Sequence, residues 1–216
     1  MFKKILITMV TVLLSTQAIA DEVATTDEPT KIEEGVQYVS LPKFASPEKE
    51  VVEFFSFSCP SCYRFETEYK GTQFIEANLP ENVKLKRYVL NNYGPLAQEF
   101  AQAWAIANVL GISQDVAEKL YQANQQDKTI KTADDIKGIF INLGVEESKF
   151  EEMKNNFLVQ AFIAQQNQAQ QELKPATIPS FYVNSKYLII PQGLKPENNS
   201  IIADYSRVIN YLTDLK

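Results

Sequence analysis

Val51-Val52-Glu53-Phe54-Phe55-Ser56-Phe57-Ser58-Cys59-Pro60-Ser61-Cys62-Tyr63-Arg64-Phe65-Glu66 is the stretch on which the fold turns. Val51 to Phe57 is a dense β-type run, the pattern of a strand covered on both faces. At Pro60 the pattern becomes helical, since proline suits the first turn of a helix. Tyr63, Phe65, Tyr69, Phe74 and Leu79 continue that segment, and Pro80 closes it. The only two cysteines of the chain, Cys59 and Cys62, therefore stand where a buried strand hands over to a helix. Two thiols separated by two residues can close or open a small disulfide ring with little backbone movement.

That position gives the two sulfurs unequal chemistry. The free N–H groups and dipole of a helix N-terminus stabilise a thiolate, and Cys59 lies just before the first turn. Cys62 sits one turn further in and is expected to be the more buried. Cys59 is thus assigned as the nucleophile and Cys62 as the resolving thiol. A purely structural disulfide is the rival, but such a bond usually closes a long loop, because a short one constrains the unfolded chain least.

Outward from the cysteines, Val83 to Leu90 reads as a second strand, with Leu85, Arg87 and Val89 on one side. Val36 to Leu41 alternates weakly, as an edge strand does. From Pro95 to about Leu173 the chain is helical throughout. Phe100, Trp104 and Ala107 follow helical spacing up to a stop at Gly111, Val116 and Leu120 mark a short helix after Ser113, and Thr132 caps another that ends at Gly144. Ser148-x-x-Glu151 has the form of a capping box and predicts one long helix carrying Phe150, Met153, Phe157, Ala161 and Ala164 inward. Gln165 to Gln171 reads as a solvated helix face. Ser180 to Asn184 and Tyr187 to Ile190 form a hairpin around Asn184-Ser185-Lys186, and Ile201 to Leu215 is a closing helix. The order predicts an α/β domain interrupted by an all-α insertion.

Composition narrows the function. Met1 to Ala20 has a basic start at Lys3 and Lys4, an apolar Ile5 to Leu14 and a small-x-small Ala18-Ile19-Ala20, the form of a signal peptide cleaved after Ala20. Its apolar core is about ten residues against roughly twenty for a membrane span. The mature protein is expected in an exported, disulfide-permissive compartment. Loss of Lys3 and Lys4 leaves 19 basic against 27 acidic residues, taking the formal charge from −6 to −8. No basic excess remains to neutralise phosphates, which argues against nucleic acid as a partner. Histidine is absent, so Cys-His and Ser-His-Asp mechanisms lack their base, and two cysteines cannot build the usual zinc sites.

The residues around the cysteines resemble the active-site stretch of the DsbA family of periplasmic thiol:disulfide oxidoreductases: Glu53-Phe54-Phe55-Ser56-Phe57-x-Cys59-Pro60-x-Cys62-Tyr63-x-Phe65-Glu66. The similarity continues through Gln102-Ala103-Trp104-Ala105, Phe140-Ile141-Asn142-x-Gly144, Ala164-Gln165-Gln166, Ile178-Pro179-x-x-Tyr182-Val183-Asn184 and Pro191-Gln192-Gly193. It implies a thioredoxin fold, a central mixed β-sheet flanked by helices, with an inserted all-α helical domain. The boundaries expected are a signal peptide at 1–20, a loose segment at 21–34, a discontinuous thioredoxin-like domain at 35–92 and 172–216, and the insertion at 93–171. By resemblance, Pro179 is a cis-proline facing the two sulfurs and Ile178 before it helps to bind the substrate backbone. No cofactor is implied beyond the redox-active disulfide.

Two departures qualify the resemblance. Where the family commonly has His inside the motif, this chain has Ser61, which can offer a hydroxyl but no positive charge. Cys59 is therefore expected to be acidic but less so than in a Pro-His member, and the protein to be a weaker oxidant. A glutathione equilibrium giving a potential at or above the Pro-His value refutes this. The resemblance also places an acidic and a basic residue beneath the site, here Glu53 and Arg87, with Arg in place of the usual Lys. Arginine can pair with Glu53 but does not shuttle protons. Glu66, one turn past Cys62, matches a family position too, and solvent exposure is the competing reading for all three.

The function expected is introduction of disulfides into exported proteins through a mixed disulfide at Cys59. The implied partners are unfolded or partly folded exported chains with free thiols and a DsbB-like, quinone-linked membrane oxidase. A monomer is expected. Apolar residues near Ile178 and the inserted helices are expected to line the substrate groove. A reductase or isomerase is the alternative within enzymes, and a chaperone or binding module with a passive disulfide the alternative outside them.

Overall fold

In the computed structural model, residues 31–196 and 200–215 are described. The expected signal peptide and residues 21–30 lie outside them. The strands are β1 (Tyr38–Ser40), β2 (Glu50–Phe55), β3 (Lys84–Val89), β4 (Ser180–Val183) and β5 (Tyr187–Ile189). They form one mixed sheet in the order β1-β5-β4-β2-β3. β2 pairs in parallel with β3 and antiparallel with β4. All six of its residues are buried, as the dense apolar run predicts. On one face Val51 joins a cluster with Ile75, Val208, Ile209 and Leu212, and on the other Val52 and Phe54 pack with Tyr88 and Tyr182.

The parallel β2–β3 pair needs a crossover, which is made by α1 (Pro60–Thr67) and α2 (Gly71–Ala77). The sequence reads as one helical segment here, yet the helix breaks, with Lys70 left-handed at φ 51°. The break lets Phe65 turn inward against Gly71, where an added Cβ would lie 2.5 Å from the Phe65 ring.

Between β3 and β4 the chain forms α3 (Ala97–Leu110), α4 (Ser113–Tyr121) running into a π-turn at Gln122–Gln126, α5 (Ala133–Asn142), α6 (Glu147–Lys154) and α7 (Phe157–Leu173). Thr132 caps α5 in a reciprocal box with Asp135. The single long helix opened by Ser148 is not formed. α6 begins after Glu146, with Ser148 already inside it, and the chain breaks at Asn155-Asn156, where Asn156 Oδ1 accepts from Leu158 N at 2.9 Å. An asparagine cap restarts the helix because its side chain satisfies an N–H that the previous turn cannot. Phe157, expected inward, is 81% exposed.

The glutamine tract is also corrected. Gln166 is fully buried, and its Oε1 accepts from Val89 N at 2.8 Å, while Gln170 Oε1 accepts from Asn91 N. β3 is an edge strand, and a buried edge leaves backbone donors that need acceptors. The hairpin turn carries Asn184 and Ser185 at φ 51° and 54°, the left-handed pair that matches strand twist. α8 (Ile201–Thr213) closes the fold, capped by Ser200.

Candidate active site

The loop between β2 and α1 is held from three directions before it reaches the first cysteine. Ser56 bends it locally: its hydroxyl accepts from Ser58 N at 3.1 Å, and its carbonyl accepts from Cys59 N at 3.1 Å. The Ser56 hydroxyl itself donates to the Tyr93 carbonyl at 3.3 Å. From the π-turn, Asn124 Nδ2 and Gln125 Nε2 both donate to the Phe57 carbonyl, at 3.0 and 2.7 Å. The Phe57 ring is sealed among Phe100, Trp104 and Tyr121. The insertion thus fixes the backbone that carries Cys59.

Cys59 is the N-cap of α1, with extended backbone and Pro60 opening the first turn. Its sulfur accepts from Cys62 N at 3.4 Å and lies 3.7 Å from the carbonyl of Ile178. The Ile178–Pro179 bond is cis. Both cysteines are free thiols. By whole-residue exposure they are alike, at 3% and 2%, so exposure does not separate them as the sequence suggests. Their surroundings do, because protein encloses the Cys62 sulfur far more completely. Hydrogen bonding from Cys62 is the largest influence on Cys59 and, with the backbone N–H groups of Cys62 and Ser61, lowers its pKa to about 6 against the opposing effect of burial. Burial pushes Cys62 well above an ordinary thiol, with Cys59 and Glu53 adding to the rise. What Ser61 contributes to the sulfur is its backbone N–H.

Glu53, Arg87 and Glu66 are not solvated. Glu53 is 2% exposed and Glu66 4%. Arg87, paired in register with Glu53 across β2 and β3, reaches Glu53 Oε2 through Nε and Glu66 Oε2 through Nη2, each at 2.6 Å. Its guanidinium also stacks on Phe55 and Trp104 at 4.8 and 5.3 Å. Burial raises the pKa of Glu53, Arg87 opposes the rise and Glu66 reinforces it. Through these groups the site has a charged floor, and the sulfur that senses Glu53 is that of Cys62.

The structure adds residues that sequence reasoning missed. Tyr93, in the loop after β3, accepts the Ser56 hydroxyl through its carbonyl at 3.3 Å, and the charge on Cys59 raises the pKa of its phenol. Asn124 and Gln125 belong to a π-turn that has no readable period. Beside Cys59, Ser58 and Pro60 form one wall of a groove of about 440 Å³ lined by Pro95, Leu96, Lys128 and Ile130.

The chain was compared with known proteins. A family model described as Thioredoxin matches residues 45–209. The thiol:disulfide interchange protein DsbA of Salmonella typhimurium is 36% identical over 187 residues, covering 86% of this chain and 90% of that protein. DsbA of Haemophilus influenzae is 39% identical over 181 residues, covering 84% and 87%. Among solved structures, DsbA from Proteus mirabilis superposes with a TM-score of 0.79 at 36% identity, over 85% of this chain and 97% of that one. A second Proteus structure, of a cysteine-to-serine variant with the non-covalently bound peptide PWATCDS, gives 0.80 at 35% identity, over 85% and 98%. With a strand-to-helix Cys-X-X-Cys set against a cis-proline, a mixed sheet broken by helices and relatives at this identity over most of its length, the chain belongs to the DsbA family of thiol:disulfide oxidoreductases.

Proposed function

We propose that this enzyme is exported to the periplasm and there introduces disulfides into thiol-bearing polypeptides through Cys59 and Cys62, without a further cofactor. The observation that carries this reading is the placement of Cys59 as the cap of α1, its sulfur accepting from Cys62 N at 3.4 Å and facing the Ile178 carbonyl at 3.7 Å, a setting that lowers its pKa while burial raises that of Cys62. In the disulfide form, a substrate thiolate attacks the Cys59 sulfur. The Cys59–Cys62 bond breaks, and Cys62 leaves with the electron pair and takes up a proton, as its raised pKa favours. A second substrate thiolate then attacks the substrate sulfur of the mixed disulfide. Cys59 leaves as a thiolate, which at neutral pH needs no proton. Two substrate thiols are oxidised, one enzyme disulfide is reduced, and one proton goes to water.

Ile178 and Pro179 stand opposite Cys59, where an Ile178 backbone group can meet an extended substrate segment. The peptide seated on the Proteus relative contains a cysteine, which supports polypeptide rather than small thiols as substrate. The groove on the insertion side is mixed, with Leu96 and Ile130 beside Lys128. A DsbB-like, quinone-linked membrane oxidase restores the disulfide, and the enzyme works as a monomer, both by family resemblance.

The test is to express Cys62→Ala in the periplasm and look for mixed disulfides. Adducts that run through Cys59 and vanish on reduction are expected. A variant that binds the same chains without any covalent adduct means a binding module with a passive disulfide.

A further inference from the structure

Another groove lies on the sheet face turned away from α8, and neither cysteine lines it. It measures about 600 Å³, within the roughly 300–1,000 Å³ of small-molecule sites. Leu41, Leu173, Tyr182 and Leu188 make its apolar wall, continuous with the cluster of Val52, Phe54 and Tyr88. Ser180 lines it too, and brings a polar atom with nothing to bond. This residue is 5% exposed, and its hydroxyl has no hydrogen-bond partner. The phenol of Tyr182, two residues along the same strand face, is close enough for Ser180 to oppose the rise that burial gives its pKa, yet the two form no hydrogen bond. A buried hydroxyl left unpaired costs free energy that a bound acceptor recovers.

We propose that this groove binds a small anionic amphiphile, a single acyl chain ending in a carboxylate, which packs its chain on the leucines and accepts the Ser180 hydroxyl at its head. Charge decides the sign of the ligand. Among the described lining residues one acid, Glu172, stands against two bases, and it pairs with Lys43 at 3.8 Å. Lys174, the left-handed C-terminal cap of α7 with φ 47°, is left as the excess positive charge of the lining. A carboxylate taken partly out of water needs such a partner. Phe44 follows Lys43 in the chain and is 95% exposed, so an apolar ring stands unpacked next to the lining.

Thr177 and Ser180 line the groove and flank Ile178-Pro179, so the occupant rests against the segment whose carbonyl faces Cys59. The site is nonetheless separate from the chemistry. The groove that adjoins Cys59 is lined by Ser58, Pro60, Leu96 and Ile130, none of which it shares. No covalent bond forms or breaks on binding, and the proposal does not rest on the disulfide-exchange function above.

Octanoate is the probe, titrated into the isotope-labelled enzyme while backbone amide resonances are followed. It is expected to shift Leu41, Thr177, Tyr182 and Leu188 saturably and to leave Leu96 and Ile130 in place. Ser180→Ala is expected to weaken binding about tenfold, the worth of a hydrogen bond to a charged acceptor, and Lys174→Gln about threefold. Before any ligand is added, Ser180→Ala should unfold at the wild-type temperature, because the hydroxyl it loses had no partner. A clear drop there means that the hydroxyl is already bonded and overturns the proposal. The wild type decides by itself as well. With the same chain and no charge, 1-octanol is expected to bind it about tenfold more weakly than octanoate, and equal affinity overturns the carboxylate assignment. Three other outcomes overturn the site: no shift in the groove, shifts confined to Leu96 and Ile130, or shifts that follow protein concentration instead of octanoate, as a second copy would cause.

Discussion

Cys59 owes most of its acidity to its own motif. The largest contribution is the hydrogen bond from Cys62, and burial works against it. A hydroxyl can replace that donor and a methyl cannot. Cys62→Ser is therefore expected to keep the Cys59 thiolate midpoint within about half a unit of the wild-type value, and Cys62→Ala to raise it by about one unit or more. Thiolate absorbance against pH checks this, and equal midpoints for the two variants refute it. The motif and its strand-to-helix setting were legible in residues 51–66, because both depend on neighbours in the chain. The surroundings of Glu53 and Glu66 were not. A carboxylate in an apolar strand reads equally as an outward residue or as half of a buried pair, and only the register of β2 against β3 places Arg87 beside it.

That triad ties three elements together, β2 through Glu53, β3 through Arg87 and α1 through Glu66. Removing the cation strands two carboxylates in the interior. Arg87→Met is expected to cost about 3–5 kcal/mol, which for a chain of this size lowers the thermal midpoint by roughly 10 °C. Arg87→Lys retains the charge and should lose clearly less. If calorimetry finds the two variants equal, the charge is not what holds these elements. The tie between α7 and the edge of β3 is of another kind. Gln166→Leu leaves the Val89 N–H without its acceptor, a loss of about 1–2 kcal/mol. The low end applies because the Gln166 amide nitrogen has no partner to forfeit. Faster amide exchange at Val89 would accompany it, and protection unchanged there contradicts the assignment. Helix positions were readable from apolar spacing. The α6–α7 break was not, since the Asn156 cap that makes it leaves no mark on apolar spacing, and the buried glutamines were not, since what lies across the interface decides them.

For the whole molecule, the acidity of Cys59 becomes a redox-linked stability. The reduced fold holds this thiol near 6, below the 9.0 of an unperturbed cysteine. A depressed pKa stabilises the fold fully above the unfolded value and loses that contribution as pH falls through the folded one. Relative to pH 5, the reduced enzyme should gain about 1.4 kcal/mol by pH 7 and more by pH 9. The disulfide form has no thiolate and gains nothing from this source. Denaturant unfolding of both forms across pH 5 to 8 is expected to show the difference widening in favour of the dithiol. A constant difference would mean that Cys59 is not acidic in the fold. By itself, the sequence determined the strand, the helix start, the cysteine pair and the helical insertion, because periodicity, proline and spacing act over a few residues. The tertiary structure decided which groups surround the sulfurs: the Ile178 carbonyl against Cys59, and Arg87 between Glu53 and Glu66. Ile178 and Arg87 lie tens of positions from the motif, and only sheet register and loop closure bring them within reach of it.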